Sequence, residues 1–393
     1  MDTKILYILV GVAILVTFTG LFVTLFAPEE QISGQVVQEL KALPYANSAP
    51  VLPENSEKIG VTINTKEAFD GLRLYSLGEA QEAHLIDNEG NIKHIWDTSK
   101  LQNCNDECDW NHVELFGDEL FVLISDKKMM KLDWDGNHLW SNFHEFHHDI
   151  DISPEGEIFA LRRAIIAIPC KSDHCDRLPI LNDYISVIAP YGDIRREISL
   201  YDLFKDELNV PAYIEEKITD DLKENPEASY DLFHTNGIEI LDADIPGVAK
   251  RGNVFISVRE LDLIAIVDLD SEAVVWRWGP GELKEQHGAQ MMDNGNILLF
   301  DNKGNDGFAR ILELDPKTNT GVWQYPEQGK YTLVSPTRGW AEVLENGNIL
   351  ITESDKGRAF EITRSGEVVW EFWNTIEDNE RDAIYRMVVP LRS

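Results

Sequence analysis

The sequence predicts an all-β chain, a six-bladed β-propeller behind one N-terminal transmembrane helix and a short stalk. Three observations carry this: a recurring unit of 40 to 50 residues, a tryptophan closing most units, and a single long apolar run before Ala27. Asn-Gly or Asp-Gly turns followed by β-rich runs recur in MMDNGNILLFDN and VLENGNILITES, each leading to a V-W or V-V-W segment. Trp276, Trp323 and Trp370 fall 47 residues apart. That period, with about four short strands per unit, is the mark of a propeller, whose blades bury their faces against one another.

At the N-terminus, Ile5 to Ala27 is an uncharged, mostly apolar stretch of 23 residues. This is enough for one helical crossing of a roughly 30 Å hydrocarbon layer and longer than the roughly 7 to 15 apolar residues of a cleavable signal. Residues 1–27 are therefore expected to be a membrane anchor. Lys4 precedes the span and Glu29 and Glu30 follow it, which leaves the N-terminus in the cytoplasm and the propeller outside, on the periplasmic or extracellular face. Residues 28–58, rich in Pro, Glu, Ser, Asn and Ala, read as a linker or stalk.

Residues 59–393 hold six units. Trp96, Trp140, Trp276, Trp323 and Trp370 mark the outer ends of five, and Ile198 that of the sixth. The Asn-Gly and Asp-Gly pairs at 294–295, 346–347 and 135–136 supply the positive φ angles of tight hairpins. One acidic, helix-like insertion around 205–227 interrupts the period and reads as a rim segment. The cysteines form two close pairs in polar, loop-like stretches, Cys104 with Cys108 and Cys170 with Cys175. Local disulfides suit an oxidising compartment, and spacers of three and four residues match a zinc ribbon poorly.

The chain has 69 acidic and 35 basic side chains, a formal charge of −34. Such a surface repels phosphate backbones, so nucleic-acid binding is excluded as a class. An anionic substrate needs a locally positive pocket. In a propeller the first strand of each blade lines the central channel, and its leading end opens at one mouth. Counting back eight positions from turn glycines 295 and 156 reaches His287 and His148. His234 and Asn236 (FHTNG) stand at the same mouth, and Arg259 (VFISVREL) on the following strand adds a positive charge. His147 alternates to the other strand face and reaches the pocket only if the strand starts later. The other histidines, His84, His94, His112, His138, His144 and His174, read as structural. Imidazoles, an amide and a guanidinium suit an oxyanion, and a neutral imidazole is a competent nucleophile or base. No metal site is expected, because Arg259 opposes a cation and no carboxylate completes a recognised motif. Phosphate-loop, nucleophile-elbow and H-E-x-x-H patterns are absent.

HHDIDISPEGEIFAL (147–161), DLFHTNGIEI (231–240), WRWGPGE (276–282), QHGAQMMDNGNILLFDN (286–302), ARILELD (309–315) and the stretch from Gly339 to Phe372 together resemble the bacterial arylsulfotransferase family. The resemblance covers roughly Leu74 to Trp373. It implies a six-bladed propeller that needs no cofactor and moves a sulfuryl group from an aryl sulfate to a phenol through a sulfohistidine, by a ping-pong route independent of PAPS. It implies His287 as nucleophile, His234 and Asn236 on the sulfuryl oxygens, Arg259 stabilising their charge, and His148 exchanging protons with the phenols, with His147 beside it. The implied partners are small aryl sulfates and phenols; membrane contact through residues 5–27 and a homodimer or membrane-complex partner are expected besides. Many members carry His-Asp where this chain has His287-Gly288. The rival expectation is a non-catalytic, membrane-anchored interaction scaffold; a quinone-cofactor propeller is disfavoured because those usually have eight blades.

Overall fold

A computed structural model describes residues 58–77, 81–97, 101, 110–124, 126–172, 175–206, 230–330, 332–374 and 383–390. The expected anchor, the stalk up to residue 57 and most of the 205–227 insertion lie outside them. Among the described residues no helix is long and apolar enough to cross a membrane.

Strand β1 (Gly60–Asn64) precedes the blades. Blade I holds β2 (Arg73–Leu77), β3 (Glu82–Ile86) and β4 (Ile92–Trp96). Blade II holds β5 (His112–Phe116), β6 (Glu119–Ile124), β7 (Lys128–Asp133) and β8 (His138–Asn142). Blade III holds β9 (Phe146–Ile152), β10 (Ile158–Ser172), β11 (Cys175–Ile188) and β12 (Ile194–Ser199), followed by a short helix α1 (Leu200–Phe204) and by β13 (Tyr230–Asp231), which pairs parallel with β11. Blade IV holds β14 (Thr235–Ile240), β15 (Val254–Val258), β16 (Leu263–Asp268) and β17 (Ala273–Trp278). Blade V holds β18 (His287–Met291), β19 (Ile297–Asn305), β20 (Phe308–Asp315) and β21 (Thr320–Tyr325). Blade VI holds β22 (Trp340–Val343), β23 (Ile349–Glu353), β24 (Arg358–Ile362) and β25 (Val368–Trp373), and β26 (Met387–Val388) ends the described chain.

Each blade is an antiparallel meander, so the expected six-bladed propeller is present among the described residues. Ring closure uses both ends of this region: β26 becomes the inner strand of blade I beside β2, and β1 adds a fifth strand outside β25. Six buried apolar clusters lie one at each blade interface; Phe159, Ile185, Ile256 and Ala265, for example, join blades III and IV.

The outer-strand tryptophans do more than pack. Trp370, Trp140, Trp276 and Trp323 donate Nε1–H to the carbonyls of Asn88, Pro190, Pro316 and Arg364, each in the turn of the next blade. In blade I the equivalent donor is His94, Nε2 to Trp134 O at 2.7 Å, and in blade III it is Arg196, bonded to Leu269 O. The sequence reading took Trp96 and Ile198 as the markers of these two outer ends, and both do lie on outer strands. Trp96 is a second donor, to Asp133 O at 3.2 Å, and Ile198 is an apolar core residue. His94 and Arg196 stand four residues past Gly90 and Gly192, as Trp140 and Trp370 stand four past Gly136 and Gly366. The position therefore selects a long side chain with an N–H, and tryptophan is its commonest occupant.

The cysteine expectations need correcting as well. The stretch around Cys170 and Cys175 is the end of the long β10–β11 hairpin, with Ser172 paired to Cys175, and is not a loop. The side chains of Cys170 and Cys175 lie outside the described residues. Cys104 and Cys108, the other expected disulfide, lie outside them entirely, so neither bridge is among the described contacts.

Candidate active site

The inner strands begin at one common level: His112 opens β5, His147 and His148 lie at the start of β9, His234 precedes β14, His287 opens β18, Trp340 opens β22, and Tyr385 and Arg386 precede β26. Local backbone re-aims them. His148, His234 and Gly288 have φ of +57°, +47° and +53°, and the strand registers slip at these points, between Ala160/Arg162, Thr235/Gly237 and His287/Gln290. A bulge bends a strand and turns its side chains out of simple alternation. Side chains from separate blades thus reach one space. The His148 and His234 rings meet at 4.7 Å between centroids. Burial holds the His148 imidazole well below its ordinary value, and His234, His147, His287 and Arg259 push the same way.

His287 is held by one nitrogen. Its Nδ1 lies 2.8 Å from Asn302 Oδ1 and 3.1 Å from Glu285 O, two acceptors, so Nδ1 carries the proton and Nε2 the lone pair. Burial first, and Arg259 second, depress its pKa to about 3, so the ring is neutral across the physiological range. The next residue explains the missing aspartate. A Cβ on Gly288 would lie 2.7 Å from Trp340 Cε3 and 3.3 Å from Gly339 O, so the indole of Trp340 occupies that space. Arg386 covers the Trp340 ring at 3.6 Å and is itself bound to Asp149 at 2.8 Å.

His234 forms a carboxylate–imidazole pair. Asp231 Oδ2 accepts from Nδ1 at 2.6 Å, and Asp231 Oδ1 accepts from the His234 backbone N–H at 3.0 Å. Burial raises the Asp231 pKa, but His234 and Arg163 outweigh it and hold the carboxyl ionised. His147 does not line the pocket. It is fully buried, 2.8 Å from His148 through the two Nδ1 atoms, with Nε2 3.4 Å from Asp183 Oδ1. Asp183 outweighs burial and raises the His147 pKa. Its other oxygen receives Thr235 N–H at 2.7 Å, so His147 and Asp183 brace the strand that presents His234.

Asn236 and Arg259 differ from expectation in detail. Asn236 Nδ2 donates to Gln286 O at 2.8 Å, while Oδ1 is buried without a hydrogen-bond partner among the described residues. Gln286 is anchored by Nε2 to Ser257 Oγ, Val258 O and Leu263 O at 3.0–3.2 Å. Arg259 sits not on β15 but in the single 3₁₀ turn after it, Arg259–Leu261. Its guanidinium is paired with Glu260 and, at 2.8 Å, with Glu285, which also binds Lys303 at 2.6 Å. Arg259 is therefore a fixed positive charge whose direction Glu285 sets.

Sequence reasoning missed His112, Trp340, Asn302, Asp231, Tyr385 and Arg386. His112 is buried at the same level, but the tight turn at Gly117 shortens the count that found His148 and His287. Its two nitrogens make no hydrogen bond among the described residues, and burial followed by Arg386 pushes its pKa well down. The D-x-x-H spacing of Asp231 and His234 was visible in DLFH. Asn302 closes a quoted motif, but only the β18–β19 pairing reveals its partner.

Residues 113–375 match the sequence profile described as arylsulfotransferase (ASST). No curated protein matches the chain. Among solved structures, a protein of unknown function from Bacteroides caccae is 14% identical with a TM-score of 0.53, over 81% of this chain and 98% of its own. A streptogramin B lyase is 12% identical with a TM-score of 0.47, over 82% of this chain and 85% of its own. The first of these likenesses speaks to the propeller fold alone.

Proposed function

The chain belongs to the arylsulfotransferase family, and on that premise we propose that it transfers a sulfuryl group from an aryl sulfate ester to a phenol, with His287 as the relay. The supporting observation is the tautomer of His287: with Nδ1–H bound to Asn302 and Glu285, the lone pair stands on Nε2 of a neutral ring. In the first half-reaction Nε2 attacks sulfur, the S–O(aryl) bond breaks, and its electron pair leaves on the phenolate oxygen, which takes a proton. In the second, an acceptor phenol loses its proton as its oxygen attacks sulfur, and the N–S electron pair returns to Nε2. His234 is the better proton carrier of the two candidates, because Asp231 holds its Nδ1–H at 2.6 Å, whereas burial, with His234, His147, His287 and Arg259 adding to it, holds the His148 pKa well down. Arg259, aimed by Glu285, and His148 then meet the sulfuryl oxygens, where charge-directed donors act most strongly.

Incubation with 4-nitrophenyl sulfate and phenol is expected to release 4-nitrophenol and form phenyl sulfate, and His287→Ala to abolish both while circular dichroism and melting temperature persist. Undiminished exchange by the variant rules the assignment out. The apolar residues 5–27 support, as part of the same proposal, attachment to a membrane with the propeller outside the cytoplasm; recovery of the intact chain in a carbonate-washed membrane fraction tests that.

A further inference from the structure

We propose that Asn302 is the positioning residue for the nucleophile, and that its primary amide is required because two backbone carbonyls of the next blade read one side of it while His287 reads the other. Asn302 lies on β19, 1% exposed, beside the strand that carries His287. Its Nδ2 donates to Ser335 O at 2.6 Å and Arg338 O at 2.7 Å, both in the segment leading into β22. Two carbonyls accept only, so they fix which end of the amide is nitrogen. Oδ1 is thereby turned towards His287 Nδ1 at 2.8 Å and accepts only, so the proton is held on Nδ1.

An ionised carboxylate cannot replace this amide. An aspartate oxygen in the Nδ2 position would sit about 2.6–2.7 Å from two carbonyl oxygens, a repulsive contact unless that oxygen carries a proton. Protonated, the same side chain is a donor on one oxygen and an acceptor on the other, and reproduces one of the two carbonyl bonds and the bond to His287. Blade VI thus reports its position to the nucleophile through one side chain. The consequence for rate rests on the sulfuryl-transfer reading above; the tautomer does not.

The test uses the full chain with ¹⁵N-labelled histidine and two variants. Long-range ¹H–¹⁵N spectra, with the His287 signals identified by their loss in His287→Gln, are expected to show Nδ1–H in the native protein. In Asn302→Ala they are expected to show a mixture or Nε2–H, with the single-turnover burst of 4-nitrophenol slowed about tenfold or more, the size of one lost hydrogen bond to a reacting group, and KM little changed. Asn302→Asp is expected to behave like the alanine variant at pH 8 and to recover both tautomer and burst towards pH 5, with no such recovery in the alanine variant. A native ring protonated on Nε2, or an Nδ1–H tautomer unmoved in both variants, overturns the inference. A tautomer that responds as stated in a protein showing no burst with any aryl sulfate leaves the positioning role standing and removes the sulfuryl-transfer reading.

Discussion

Asp231→Asn isolates the proposed proton carrier, His234, from the proposed nucleophile, His287. In the native site Asp231 accepts twice, from the His234 backbone N–H at 3.0 Å and from Nδ1–H at 2.6 Å. Asparagine keeps the first bond through its oxygen but presents an NH₂ to Nδ1, which must then give up its hydrogen and become an acceptor. The tautomer inverts, and Nε2, the nitrogen that trades a proton with the phenol in the proposed reaction, acquires a hydrogen it cannot easily shed. Arg163 stays neutralised by Asp126 at 3.1 Å, so the fold loses little. A hydrogen bond to a charged group is worth about 1.5–3 kcal/mol, which corresponds to roughly 10- to 150-fold in rate, and positioned proton transfer as a whole supplies about 10²–10⁴-fold. The loss has to depend on the donor. A nitrophenolate leaves without help, so its burst should fall only a few-fold, while an unsubstituted phenyl sulfate, whose oxygen needs the proton, should fall by the larger figure. The assay is the single-turnover rate across aryl sulfates of graded phenol acidity, native against variant. Equal slopes against leaving-group pKa in the two proteins would show that His234 carries no proton, and the assignment would pass to His148.

Two further outcomes follow from the same geometry. Gly288→Asp, which would place here the aspartate that the family resemblance implies, should lower stability by about 2–6 kcal/mol, because a Cβ at φ +53° meets Trp340 at 2.7 Å and both the left-handed backbone and the overpacking cost about 1–3 kcal/mol each; a melting temperature within a degree of the native value counts against this. Burial, outweighing Arg386 and helped by Asp151 and Asp149, lifts the Glu114 pKa to about 8, so between the unfolded value near 4.5 and pH 8 the folded state holds a proton the unfolded state lacks, and stability falls with rising pH by at most about 1.4 kcal/mol per unit. Glu114→Gln removes that loss, and denaturant titrations should show its advantage growing from pH 6 to pH 8; a pH-independent difference refutes the linkage.

The propeller was legible because its repeat is written in turn glycines and outer-strand tryptophans, both local signals. Its closure was not: β26 has two residues and pairs with β2 more than three hundred positions away, and nothing in Met387-Val388 announces that partner. The same division runs through the site. His148 and His287 were found by counting back from turn glycines along single strands, and His234 by the His-x-Asn of FHTNG. His112 escaped because a shorter hairpin changes the count, and Trp340 because a tryptophan reads as packing wherever it falls. Asp183, which braces both His147 and Thr235, lies on β11, dozens of residues from either and within no motif.

The expected cationic pocket has also become a different object. Burial keeps the imidazoles of His112, His148 and His287 neutral, and Arg259 and Arg386 arrive already paired with Glu285 and Asp149. Along the inner strands, carboxylates bind the backbone of the following blade: Asp151 accepts from Ile240 N, Glu239 from Met291 N and Glu342 from Val389 N, each at 2.7 Å, and Gln290 continues the series by donating to Ala341 O. These groups join inner strands that make no ladder with one another. Burial lifts Asp151 to about 6, Glu342 to about 7 and Glu239 well above its usual range, which lowers the negative charge of the wall below its formal count. A net charge of −34 and the proposed site for an anion are therefore compatible: burial takes part of the charge off the channel carboxylates, and on the proposed reading neutral imidazoles would meet the sulfuryl group with hydrogen bonds and one lone pair. A pocket of protonated imidazoles would bind sulfate more tightly, but its proposed nucleophile would carry a proton in place of the lone pair that the transfer requires.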